Sequence, residues 1–98
     1  MPAICDLELT SSLRSLALAQ VLPAVRADQA LALYLALPLA RHDHRGLLGR
    51  VWALRMNFTP YDAAYVALAE ALHARLLTLD AGLARAARRH TVVEVVGF

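Results

Sequence analysis

Glu8, Asp62 and Asp80 are the residues of this chain whose types and settings could do chemistry. Carboxylates gathered in one place repel one another, which raises their pKa values unless a cation neutralises them. Mg²⁺ takes oxygen ligands and keeps several waters, so two or three carboxylates hold it. The bound ion can activate a water and steady charge on a phosphate as a phosphodiester bond breaks. Each acid also has a purely structural reading. Glu8 falls in an early turn of a helix, where the macrodipole favours negative charge. Asp62 follows Thr59 by three positions, a Thr-x-x-Asp that resembles a capping box. Asp80 lies between a strand and a helix, a natural place for an N-cap.

The elements that must position these acids follow from spacing and punctuation. Thr59-Pro60 opens a helix over residues 59–73, since threonine caps and the fixed φ of proline suits the first helical position. That helix is alanine-rich and apolar on almost every side, so it belongs in the interior. Residues 75–80 read as a strand, 81–89 as a helix and 91–96 as a β-branched strand, a strand–helix–strand unit with parallel strands and a right-handed crossover. In an open parallel sheet chemistry sits beyond the carboxyl ends of the strands, the place of Asp80. Upstream, Leu9, Leu13 and Leu16 mark a helix over residues 2–20, closed by Pro23. Leu31 to Leu39 alternate with small residues and Tyr34, a strand by period alone, but leucine and alanine favour helix. The spacing is therefore assigned to a helix over 27–36 and a short strand over 39–41. A charged loop at 41–46 precedes a helical face of Leu47, Val51, Leu54 and Phe58.

Ninety-eight residues make one small domain. With 59% hydrophobic and 18% charged residues, the chain is too apolar for disorder and rich enough to want a partner over some of its surface. All 10 basic residues are arginine, and a net charge of +2 permits nucleic acid binding without demanding it. Cys5 is the one cysteine, so no internal disulfide forms and a reducing cytoplasm is expected. The longest apolar run, residues 30–40, has 11 residues and contains Pro38, short of the roughly 20 needed to span a bilayer. No signal peptide is visible.

The string TPYDAAYVALAEAL followed by LLTLD, with DLELTSSLRSL near the start, resembles the PIN-domain ribonucleases, specifically the VapC-type toxins of bacterial toxin–antitoxin pairs. The order of elements agrees over essentially the whole chain. The resemblance implies a three-layer α/β/α sandwich around a parallel sheet and an endoribonuclease that holds Mg²⁺ or Mn²⁺ with a cluster of acids. It implies that Glu8, Asp62 and Asp80 are the catalytic, metal-binding members of that cluster. It further implies an RNA substrate, a homodimer, and a VapB-like antitoxin lying across the leucine-rich segments 7–18 and 31–37. The family begins with a hydrophobic strand ending in a metal-binding aspartate, whereas only Met1 to Cys5 precede the matched helix here. The sandwich is thus expected to be truncated, without its first strand, and Asp6, inside the helix, does not replace the missing ligand.

Lesser candidates surround these. Thr78 either holds an acid or a metal-bound water through its hydroxyl, or simply favours a strand. Arg14, six residues after Glu8, reaches substrate phosphate or pairs with an acid. His42 and His44 could be ligands but read as a solvated basic turn, lacking further ligands at zinc spacing. Tyr61 and Tyr65 flank Asp62 and stack on a base or pack in the interior. The alternative function is a catalytically inactive PIN-like module that only dimerises and binds an antitoxin. A small-ligand α/β domain using the Asp80 crevice is a third reading, with no glycine-rich phosphate loop to support it.

Overall fold

The computed structural model describes residues 1–97 and divides into two compact units, one spanning Ala3–Arg41 and the other joining Met1–Pro2 to the chain from His42 onward. It is mostly helical, with a small parallel sheet, consistent with an α/β class. No helix among the described residues is long and apolar enough to cross a membrane.

The first unit is a helical hairpin. Helix α1 (Cys5–Leu18) carries Asp6 and Glu8 in its first turn, on the side of the dipole that favours them. It ends at Gln20, whose φ of 58° is left-handed. Gln20 N–H donates to Ala17 O and Val21 N–H to Leu16 O, the two bonds of a Schellman motif built without glycine. Pro23 then leads into α2 (Ala24–Ala36), accepting from the Arg26 and Ala27 amides. Leu37, preceding Pro38, is extended, as the proline ring requires of its predecessor. The strand expected at 39–41 does not form. Leu39 N–H instead turns back to Leu37 O, a tight turn in a stretch that has no β-branched residue to favour extension. Extended pairing falls one residue later, at His42, which forms a parallel bridge with Pro2 and donates its N–H to Met1 O at 2.8 Å. Neither α1 nor α2 buries a residue, and Leu7 and Leu33 are largely exposed.

The second unit holds the core. A 3₁₀ turn (Arg45–Leu47) runs into α3 (Leu48–Ala53), then α4 (Pro60–Leu72), β1 (Leu76–Thr78), α5 (Ala81–His90) and β2 (Val95–Gly97). Helix α3 is shorter than the face Leu47–Phe58 suggests. The chain tightens into turns after Ala53, yet Leu54 and Phe58 still reach the core. Strands β1 and β2 pair in parallel, with Leu76 opposite Val95 and Thr78 opposite Gly97. The β2 strand starts later than residue 91 because Thr91 Oγ1 is tied to the end of α5, donating to Ala87 O and accepting from Val93 N. Leu54, Phe58, Ala63, Val66, Ala69, Leu76, Ala87 and Val93 form one cluster. Alanines along α4 let its axis approach the strands closely, and Val66 is wholly buried. An Arg50–Glu70 pair at 3.1 Å links α3 to α4 on the half-wet surface, where it adds little stability.

Candidate active site

Asp80 is placed by the end of β1 and the start of α5. Its backbone N–H donates to Thr78 Oγ1 at 3.0 Å, which fixes the turn out of the strand. Its own Oδ1 then accepts from Leu83 N–H at 3.0 Å, so the side chain caps α5 and satisfies one of the first-turn donors. The structural reading of Asp80 thus holds, and the residue is also exposed at the carboxyl end of a parallel strand. Thr78 reaches the main chain of Asp80 rather than its carboxylate. Gly82 leaves room beside the acid: a Cβ there would lie 3.2 Å from Asp80 Oδ1.

Asp62 occupies the first turn of α4. Thr59 caps that helix, its Oγ1 accepting from Asp62 N–H at 3.2 Å, and Pro60 follows at the first position. Asp62 is half-buried, Tyr61 beside it is 59% exposed, and Tyr65 packs against the core. Helix α4 passes into β1 through a short turn at His73, a left-handed residue (φ 51°) whose N–H bonds Glu70 O while Ala74 N–H bonds Ala69 O. Ten helical residues separate Asp62 from Leu72, about 15 Å of rise. Strand β1 runs from Leu76 to Thr78, and the chain bends at Leu79 before Asp80. Asp62 thus sits at the start of α4 and Asp80 just past the end of β1, both in the second unit.

Glu8 and Arg14 lie in α1, in the other unit. Glu8 is half-buried and Arg14 exposed, the latter lining a shallow cleft of the hairpin with Thr10 and Asp28. Among the described residues no three His, Cys, Asp or Glu side chains form a group that could hold a metal ion. Asp62 and Asp80 are each oxygen donors of the kind a hard divalent ion takes.

Asp6 has a different occupation, which local sequence rules do not reveal. Tyr34 Oη donates to its Oδ1 at 2.6 Å and Arg41 Nε to both its oxygens at 2.8 and 2.9 Å. The Arg41 guanidinium also lies 5.4 Å from the Tyr34 ring centroid. The Tyr34 hydrogen bond, then Arg41, hold the Asp6 carboxyl below its ordinary range, and the same bond pushes the Tyr34 hydroxyl up to about 12. A second feature passed over by spacing rules is Trp52, exposed on α3 with Arg55 stacked 4.5 Å from its ring centroid.

No family model matches the chain. Individual relatives do. Over 96 residues, 98% of this chain and 76% of the relative, the sequence is 38% identical to the VapC ribonuclease Mb0985 of Mycobacterium bovis, and equally so to ribonuclease VapC9 of Mycobacterium tuberculosis. Ribonuclease VapC12 of Mycobacterium tuberculosis is 32% identical over 95 residues, 97% of this chain and 74% of that protein.

Proposed function

Since the chain belongs to the VapC ribonuclease family, we propose that it is the toxin of a toxin–antitoxin pair, a divalent-metal-dependent endoribonuclease that cuts RNA phosphodiester bonds. Asp62, Asp80 and Glu8 would hold Mg²⁺ or Mn²⁺. The ion, when bound, supplies an activated water and neutralises charge on the phosphate. The remaining work falls to this chain. Thr59 and Pro60 fix the first turn of α4 and with it Asp62. Thr78 fixes the turn that presents Asp80, whose Oδ1 is anchored on the Leu83 amide. Arg14 on α1 is offered as a phosphate contact and Thr78 as an accessory group.

The observation that carries this reading is Asp80 itself: an exposed carboxylate, held rigidly by a cap, at the carboxyl end of a parallel strand where open α/β sheets bind their ligands. The proposal includes a single PIN-like domain over residues 1–98 in a three-layer α/β/α arrangement, located in the cytoplasm. It also includes a homodimer and a VapB-like antitoxin. A helical hairpin that buries none of its own leucines supports such a covering partner.

The test is cleavage of a labelled structured RNA with Mn²⁺ by the wild type, Asp62→Asn and Asp80→Asn. Cleavage by the wild type, lost in either variant, is expected. Absence of cleavage in every form, with antitoxin binding intact, would instead identify a binding module.

A further inference from the structure

The Trp52 surface has no part in holding the ion, yet it runs up to the proposed site. Leu48, Val51, Trp52, Arg55, Phe58 and Pro60 line an open, almost wholly apolar groove of 370 Å³ within the second unit. Trp52 is 68% exposed there, although tryptophan ordinarily gains most by burial. Arg55 lies over one face of its ring and donates from Nη1 to Trp52 O at 3.0 Å, so guanidinium and indole are held as a stacked pair. The groove contains no carboxylate. Arg55 is the one charged residue in that lining. At its far end the groove reaches Pro60, the first residue of α4, next to exposed Tyr61 and two residues before Asp62.

We propose that this groove is a nucleobase subsite, in which an unpaired base of the RNA flanking the scissile phosphate continues the Trp52–Arg55 stack. The inference rests on the ribonuclease reading and adds to it where the substrate lies. Three features select an RNA base as the occupant. An aromatic face supplies sequence-tolerant stacking. The guanidinium stacked on it complements the phosphates on either side of the base. Continuity with the first turn of α4, through Pro60, places the groove next to the residues that carry Asp62. A purely protein partner would equally accept an aromatic anchor, but a guanidinium fixed on that anchor with no carboxylate in the lining favours an anionic strand.

Trp52 is the chain's single tryptophan, so its emission reports this groove alone. The full-length protein is titrated with a short unstructured RNA in EDTA, where no cleavage occurs, following both tryptophan emission and the anisotropy of a label on the RNA. Saturable quenching is expected, with Trp52→Leu weakening binding roughly 5- to 150-fold and Trp52→Phe recovering most of it. Because Trp52 is exposed, neither change should cost folding, which circular dichroism verifies. RNA binding without quenching and unaltered in Trp52→Leu overturns the proposal, as does absence of RNA binding. So does a protein-concentration-dependent change in emission without RNA, lost together with self-association in Trp52→Leu, which assigns the groove to a second copy. If cleavage with Mn²⁺ fails while quenching persists, the nuclease reading falls and the base subsite stands. If cleavage persists while Trp52 is silent, the reverse holds.

Discussion

Asp80 is asked to do two things at once, and two substitutions separate them. Asparagine caps a helix about as well as aspartate, but it removes the charge that a divalent ion needs. Alanine removes both. The cap on α5 is exposed, so its loss costs about 1 kcal/mol, and loss of the charge near the helix start adds about 0.5 kcal/mol. Asp80→Asn should therefore cost about 0.5 kcal/mol and Asp80→Ala about 1.5 kcal/mol. At this chain length those figures correspond to falls in Tm of roughly 2–4 °C and 6–12 °C. Cleavage should fall by the same factor in both, at least about 100-fold, because the missing metal stabilisation amounts to several kcal/mol in the transition state. Urea and thermal unfolding give the first pair of numbers, and single-turnover cleavage of a labelled RNA with Mn²⁺ gives the second. If Asp80→Asn is as unstable as Asp80→Ala, the Oδ1–Leu83 bond is not what starts α5. If Asp80→Asn cleaves normally, the carboxylate does not hold the ion.

Other outcomes follow from individual contacts. Gly82→Ala should reduce cleavage several-fold while adding less than the roughly 1 kcal/mol usually gained by that change in a helix, since the new Cβ meets Asp80 Oδ1 at 3.2 Å and the oxygen cannot yield without losing Leu83 N–H. Thermal unfolding and a cleavage assay of the one variant read both effects. At the left-handed end of α4, His73→Gly should raise the unfolding midpoint slightly and His73→Val lower stability by about 1–2 kcal/mol, because a branched side chain at φ 51° clashes with its own carbonyl. Acid and alkali should act on the hairpin through Asp6 and Tyr34. The Asp6 pKa is depressed by folding, so its contribution is full above the ordinary carboxylate value and is lost as pH falls through the lower folded one. The Tyr34 pKa is raised, so its contribution is full below about pH 10 and is lost as pH rises through about 12. Asp6→Asn should flatten both limbs in hydrogen exchange of the α1 and α2 amides.

The parts of this molecule that sequence describes well are those ruled by neighbours within a turn. Thr59 and Pro60 start α4, alanines bury it, and the apolar Leu76–Thr78 strand, capped helix and β-branched tail produce the parallel β1–α5–β2 unit. Asp80 as an N-cap follows from the same short-range chemistry. Where the outcome depended on distant partners, spacing failed. Leu54 and Phe58 look like helix face, but burial against α4 and α5 holds them even as the chain leaves helical geometry. Leucine and alanine propensity rightly makes 27–36 helical, but the short strand expected at 39–41 does not form, and the extended pairing falls at His42, whose partner Pro2 lies 40 positions upstream. The Asp6 cluster joins residues 28 and 35 apart, beyond any periodicity rule. Trp52 reads as one more apolar residue until its exposure is known.

The two acids at the start of α1 show why proximity in sequence is a poor guide to chemical availability. A metal ion needs carboxylate lone pairs that nothing else occupies. Asp6 Oδ1 takes both the Tyr34 hydroxyl and the Arg41 Nε, and Oδ2 takes Arg41 as well, so a cation at Asp6 would have to displace a like-charged guanidinium held at 2.8 Å. That exchange would also loosen the hairpin, because Tyr34 of α2 and Arg41 both bond this carboxylate of α1. Asp6 is thereby a clasp of the hairpin, its oxygens committed to Tyr34 and Arg41 rather than open to an ion.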